Sequence, residues 1–239
     1  MLLLFDIDAT LLTTSGGGAA AMHEACRAEF GTDFSIEGIA FAGRLDPLIL
    51  SDMLRRNGLG DTPEHHARIR VRYAAMLRER LHAPGAARAL PGVHRLLDSL
   101  APRAEQGSVI MGLLTGNFSE TGTMKLLAAG IDPARFTVAA WGEDAAHSEQ
   151  RPARREDLVP VATNRAVAAG ARAGTFTIIG DTPHDVRCAL AHGGRCLAVA
   201  TGRYSAADLA AAGAHRVVPD LDTTADVLEF LLDGCRPEK

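Results

Sequence analysis

The sequence predicts an α/β protein: a doubly wound parallel sheet with a block of helices inserted after its first strand. Three observations carry that expectation. Short apolar runs without polar alternation recur along the chain, as in strands buried on both faces. From about residue 92 onward they are separated by helical stretches of about 10–15 residues, the pattern of right-handed βαβ units. Between about residues 15 and 85 the pattern is helical throughout. Residues 1–14 and 86–239 are therefore expected to form the α/β core, and residues 15–85 a helical cap.

The chain opens MLLLFDIDATLL, four large apolar residues running into two carboxylates. The apolar run reads as a buried strand. The Ala-rich GGGAAAMHEACRAEF follows as a helix, then DPLILSDMLRRNGL, with Leu48, Ile49, Met53 and Leu54 at helical spacing and Gly58 suited to the helix end. PEHHARIRVRYAAMLRERL opens on Pro63 and places Ile69, Tyr73, Met76 and Leu77 on one face. After a helix from about Gly92, SVIMGLLTGN is a second buried strand ending in Thr115-Gly116-Asn117, and a helix runs on through Lys125 to Ala129. RFTVAAWG, TFTIIGDTPHDV, RCLAVATG and HRVVPDL supply further strands, with EDLVPVATNRAVAAG, a segment ending near Ala191 and the C-terminal stretch as helices. HSEQRPARRED, with Pro152, reads as a polar and basic loop, too short for an interdomain linker.

At 239 residues, 47% hydrophobic and 23% charged, the composition is that of an ordinary globular chain. A net charge of −4 and a sequence pI near 6.1 provide no basic footprint for nucleic acid or an anionic membrane. Cys26, Cys188, Cys196 and Cys235 form no C-x-x-C pair, so neither a zinc site nor a disulfide framework is expected. Asp6 interrupts the first apolar run too early for a signal segment or membrane span. A cytoplasmic protein is the expectation.

Asp6 and Asp8 are the first functional signal. Removing an ionised Asp from water costs several kcal/mol unless cations or donors compensate. Two at a strand end therefore predict a metal ion, a phosphate-handling site, or both. Asp6-Ile-Asp8-Ala-Thr10, Thr115-Gly116-Asn117 and Gly180-Asp181-Thr-Pro-His-Asp185 all end parallel strands, where such sheets place their ligands.

In order, DIDAT, LLTGN, ARRED and GDTPHD resemble the four motifs of the haloacid dehalogenase-like (HAD) superfamily, and the resemblance covers nearly the whole chain. It implies a Rossmann-like core and phosphoryl transfer. Asp6 would be the nucleophile that forms an aspartyl-phosphate, and Asp8 the acid and base that protonates the leaving alcohol and then activates water. Mg²⁺ would be held by the Asp6 carboxylate, the Asp8 backbone carbonyl and the Asp181 carboxylate, with Asp185 nearby or acting through water. Thr115 would donate its hydroxyl to a phosphate oxygen, assisted by the backbone N–H groups of Gly116 and Asn117.

The chain departs from that pattern twice. The family's third motif usually carries Lys, whereas no lysine lies between Lys125 and Lys239. Arg151, Arg154 and Arg155 are the available cations; Arg155 is the first choice and Arg154 the second. Ala9 stands where the family commonly has Gly, so a positive φ there would be strained. Gly16, Gly18 and Ala21 match a dinucleotide fingerprint, but too far beyond the strand; a hinge into the cap is the better reading.

By resemblance, the helical block is a cap of the phosphoglycolate phosphatase and β-phosphoglucomutase type, closing over the crevice to exclude water. Arg44 within it could reach an anionic substrate group, or equally pair with Asp46 or Asp52. Asp8 favours phosphoryl transfer over dehalogenation, and the absence of lysine before Lys125 disfavours imine chemistry in the cap. The expectation is a Mg²⁺-dependent phosphomonoester hydrolase for a small phosphorylated metabolite, with 2-phosphoglycolate one candidate, working as a monomer or homodimer. The alternatives are a phosphosugar mutase and a non-catalytic phospho-sensing module.

Overall fold

A computed structural model describes residues 1–145, 151–171 and 174–233; Cys235 and the start of the polar loop lie outside them. The elements run β1 (Leu2–Phe5), β2 (Leu12–Thr13), α1 (Gly17–Phe30), α2 (Asp46–Arg56), α3 (Pro63–Leu81), β3 (Arg88–Ala89), α4 (Val93–Glu105), β4 (Ile110–Leu114), α5 (Ser119–Ala128) and β5 (Val138–Ala140). They continue α6 (Leu158–Ala168), β6 (Phe176–Gly180), α7 (Pro183–Ala191), β7 (Arg195–Val199), α8 (Ala206–Ala211), β8 (Arg216–Val218) and α9 (Thr224–Leu232).

Six strands form one parallel sheet in the order β5-β4-β1-β6-β7-β8, so the first strand is central. The chain builds outward on one side through β4 and β5, then crosses to the other through β6, β7 and β8. That reversal puts a topological switch point beside β1, where open α/β sheets leave a crevice. The apolar opening run serves both faces. Leu3 and Phe5 join the core beneath α4, α5 and α9, while Leu2 and Leu4 join the core beneath α6, α7 and α8. Leu3, Leu4 and Phe5 are fully buried, each worth about 1.5–3 kcal/mol relative to exposure.

Helices α1, α2 and α3 share a third apolar cluster of Met22, Leu50, Met53, Leu54, Ile69 and Tyr73, joined from the core side by Phe118. The chain enters and leaves these helices through a two-stranded antiparallel ribbon, β2 with β3, pairing Leu12 with Ala89 and Thr13 with Arg88. The ribbon was not expected from sequence, because two residues per strand leave no period to read. Ser15 and Gly16, with φ of 50° and 86°, turn the chain into α1.

The helical block is latched to the sheet at α2. The Asp46 N–H donates to Gly116 O at 2.7 Å, and the Phe118 N–H donates to Asp46 Oδ2 at 3.1 Å. The approach is so close that a Cβ on Gly116 would lie 1.9 Å from the Arg44 carbonyl oxygen. Arg70 of α3 adds a fork to both oxygens of Glu120 at 2.6 Å and a bond to Glu143 at 2.7 Å, with its guanidinium over the Phe118 ring.

Asp46 is buried with few donors. Burial, reinforced by the charges of Asp8 and Glu143, pushes its carboxyl up to about 7, against the pull of Lys125 and the Phe118 N–H. A carboxyl raised in the folded state binds its proton more tightly there than in the unfolded chain. Its stabilising contribution is therefore full below about pH 4 and is lost as pH rises toward 7. Asp46→Asn keeps an acceptor for Phe118 and cannot ionise. The difference in melting temperature, variant minus wild type, should grow in the variant's favour from pH 4 to 7 and then level off; a flat difference would contradict this account.

Candidate active site

The register of the three central strands brings the predicted residues together. Phe5 pairs with Leu113 on one side and Ile179 on the other, so Asp6, Thr115 and Asp181 leave the sheet at nearly the same level. Asp6 is 4% exposed, its N–H bonded to Ile179 O at 2.9 Å. After it the chain makes a tight turn in which the N–H groups of Leu11 and Leu12 both reach Ile7 O. Ala9 sits in that turn at φ 58°, a left-handed conformation that costs an L-residue about 1–2 kcal/mol. The neighbours hold it there: its N–H bonds Leu12 O at 2.8 Å and its carbonyl accepts from Thr201 Oγ1 at 2.5 Å.

Asp6, Asp181 and Asp185 are buried, with one carboxylate oxygen from each lying within 4.8 Å of the others. Burial first, then the negative charges of Asp185 and Asp6, pushes Asp181 up to about 9. Asp6 is pushed up to about 6 by burial, with Asp185 and Asp8 adding to the shift and Arg155 opposing it. Gly202 comes so near that a Cβ there would lie 1.8 Å from Asp181 Oδ2. Thr10 Oγ1 donates to Asp181 Oδ1 at 3.5 Å.

Arg155 is the cation that reaches this cluster. It begins a short 3₁₀ turn before α6, is 5% exposed, and places one terminal nitrogen 2.9 Å from Asp6 Oδ2 and 2.7 Å from Asp185 Oδ1. Its Nε is buried without a partner, a spare donor on a residue that lines the cleft. Asp185 is engaged on both oxygens: Oδ1 takes Arg155, while Oδ2 accepts from the Thr182 N–H and hydroxyl. Asp185 thus sits in the first turn of α7 with one oxygen toward Arg155 and the other turned back on Thr182.

Arg154, one position before Arg155, lines a neighbouring hollow with Gly43, Arg44, Arg155, His184 and Arg187, and among the described residues it is not part of the lining of the cleft. Arg44 borders both cavities, but its guanidinium is tied to Asp52 Oδ2 at 2.6 Å and to Ala40 O at 3.3 Å. Of the two readings for Arg44, this arrangement is the ion pair with Asp52.

Thr115 is fully buried, and its Oγ1 accepts from Asn117 Nδ2 at 2.8 Å, leaving the hydroxyl proton to be donated elsewhere. Asn117 does more than offer its backbone N–H. Its Nδ2 also reaches Asp8 Oδ2 at 2.9 Å, and its Oδ1 accepts from Lys125 Nζ at 2.6 Å. Lys125, a residue that the motifs do not mark, bonds Asp8 Oδ2 at 2.7 Å from α5. Burial opposes its charge, but Asp8, Tyr73 and Asp46 outweigh that and hold its ammonium above the ordinary lysine range.

These groups line a cavity of about 430 Å³ between the sheet and the helical block. Met22, Phe41, Ile49 and Tyr73 face it from the helical side. The arrangement can hold a cation at three carboxylates, an oxyanion at Thr115 and Arg155, and a proton at Asp8.

Residues 155–224 match the family model described as HAD-hydrolase-like. No curated protein matches the sequence. Among solved structures, a hydrolase from Pseudomonas syringae is 24% identical, with a TM-score of 0.71 over 96% of this chain and 98% of its own. CbbY from Rhodobacter sphaeroides in complex with xylulose-(1,5)bisphosphate is 20% identical, TM-score 0.70, over 92% and 94%. A haloacid dehalogenase-like family protein from Streptococcus pneumoniae is 20% identical, TM-score 0.65, over 95% and 97%. The family match is confined to residues 155–224, and along nearly its whole length the chain shares the fold of these haloacid dehalogenase-like proteins, with its four motif-like segments set on the switch-point crevice.

Proposed function

We propose that this protein is a divalent-metal-dependent phosphomonoester hydrolase acting on a small phosphorylated metabolite through an aspartyl-phosphate. The observation that carries the reading is the pairing of buried Asp6 with Arg155 at the switch point, beside Asp8 and Thr115. The relative CbbY, found with xylulose-(1,5)bisphosphate, supports a substrate of that general size and charge, and 2-phosphoglycolate is the first ester to try.

In the proposed sequence, an Asp6 oxygen attacks phosphorus while the bond to the ester oxygen breaks, and Asp8 gives that oxygen its proton. Asp8 then takes a proton from water, which attacks the phosphorus of the aspartyl-phosphate and frees Asp6 and inorganic phosphate. Thr115 and the free Nε of Arg155 offer donors to the phosphoryl oxygens, the charge stabilisation that such transfer needs. Asp185 acts through Arg155, holding its guanidinium toward Asp6.

The acidic cluster fits a metal. Three buried carboxylates lie close together and one buried guanidinium bonds two of them, while burial and the neighbouring carboxylates push both Asp6 and Asp181 up. Asp6, Asp181 and the Asp8 carbonyl would hold Mg²⁺, which supplies neutralising charge for the transferring phosphoryl group.

Phosphate release should be measured from a panel of small phosphomonoesters with Mg²⁺, with EDTA, and for Asp6→Asn. Release that needs metal and falls to background in Asp6→Asn is expected; an isomerised sugar phosphate without free phosphate would replace hydrolase with mutase. Arg155→Met should also destabilise the fold by about 3–5 kcal/mol in urea, because two buried carboxylates lose their partner. A variant as stable as wild type would show those carboxylates to be satisfied in another way.

A further inference from the structure

We propose that Lys125 is a positioning residue for the proton-transfer step: it fixes one oxygen of Asp8 so that the other is presented to the ester oxygen and to water. The inference rests on the assignment of Asp8 as acid and base, and extends it to a residue outside the four motifs.

The geometry is a closed triangle. Lys125 Nζ bonds Asp8 Oδ2 at 2.7 Å and Asn117 Oδ1 at 2.6 Å, and Asn117 Nδ2 bonds the same Asp8 oxygen at 2.9 Å. Both donors converge on Oδ2. The Lys125 side chain is 5% exposed and the Asp8 side chain 44%, so one end of the bridge is sealed and the other opens on the cleft. A carboxylate pinned at one oxygen by two donors keeps a single orientation, and misplacing a catalytic group by about 1 Å can cost about 10²-fold in rate.

The residue type fits the space. The sequence contains only two lysines, Lys125 and the terminal Lys239, so an ammonium is uncommon in this chain. A Cβ added to Gly18 of α1 would lie 3.1 Å from Nζ and 3.6 Å from the Tyr73 hydroxyl. A compact ammonium sits in this narrow space, whereas the broader planar fork of arginine would press against α1. Helix α5 makes room with Thr121 and Gly122, which are buried one turn before Lys125. Because Gly18 and Tyr73 belong to the helical block, the seal over Lys125 is complete only with that block seated on the core.

A purely structural ion pair would be equally buried, so the test must separate proton transfer from folding. Single-turnover kinetics with p-nitrophenyl phosphate does this, because nitrophenolate leaves without needing a proton while breakdown of the aspartyl-phosphate still needs a base. In Lys125→Met, nitrophenol appearance should be little changed and phosphate appearance slowed about 10²-fold. Turnover of an alkyl phosphate, which needs the proton, should fall by a similar factor, and adding Lys125→Met to Asp8→Asn should cost little more. Lys125→Gln serves if the Met variant does not fold. Equal slowing of nitrophenol and phosphate, no slowing of either, or losses from Lys125→Met and Asp8→Asn that multiply would each overturn the proposal. If the wild type releases phosphate from no ester, the hydrolase reading fails by itself. Crystal structures of wild type and Lys125→Met then decide the positioning claim: it falls if Asp8 keeps its orientation without Lys125.

Discussion

Arg155 lies 2.9 Å from Asp6 and 2.7 Å from Asp185 with almost no water to share the load, and much of the site is arranged around that contact. Burying a carboxylate at the end of a central strand is unfavourable until something positive stands beside it. The 3₁₀ turn before α6 aims Arg155 inward, and Thr182 holds Asp185 by its second oxygen. Burial, then the negative charges of Asp185 and Asp6, pushes the Asp181 carboxyl up, and three carboxylates so close together suit a divalent cation. Asp8 is compensated separately, by Lys125 and Asn117. Each of the two opening carboxylates thus has its own buried cation, one from either side of β1.

What could be read from the sequence followed physical range. The parallel strands were legible because MLLLF, IMGLL and FTIIG are apolar without alternation, which is what burial on two faces demands. The crevice followed from three such runs ending in polar residues. The choice of Arg155 over Arg154 rested only on nearness to the helix start; the deciding fact, which side of a turn faces inward, is a dihedral property that no spacing reveals. Arg44 was open between two roles because its partner Asp52 lies on the next helix at a distance that sequence does not supply.

Lys125 was missed because a lone charge in a helix is most often solvated. A signal was nevertheless present. It is one of two lysines in the chain, and Thr121 and Gly122, one turn earlier, are small enough to let a long side chain lie along the helix surface. Neither clue identifies Asp8 as the partner, since 117 residues separate the pair. Long-range electrostatic pairing is where reasoning from one sequence reaches its limit, whereas local backbone rules, including the conformation suspected at Ala9, carry through.

The ribbon formed by β2 and β3 has an architectural consequence. Since Leu12 pairs with Ala89 and Thr13 with Arg88, everything between those residues departs from and returns to a single point on the core. The pairing of the six sheet strands therefore does not run through the helices, which meet the site mainly where Asp46 bonds Gly116 and Phe118 and where Arg70 bonds Glu120. A lineage can revise the walls that meet the substrate while the phosphoryl-handling floor stays as it is, so selectivity and chemistry are free to evolve at different rates within one chain.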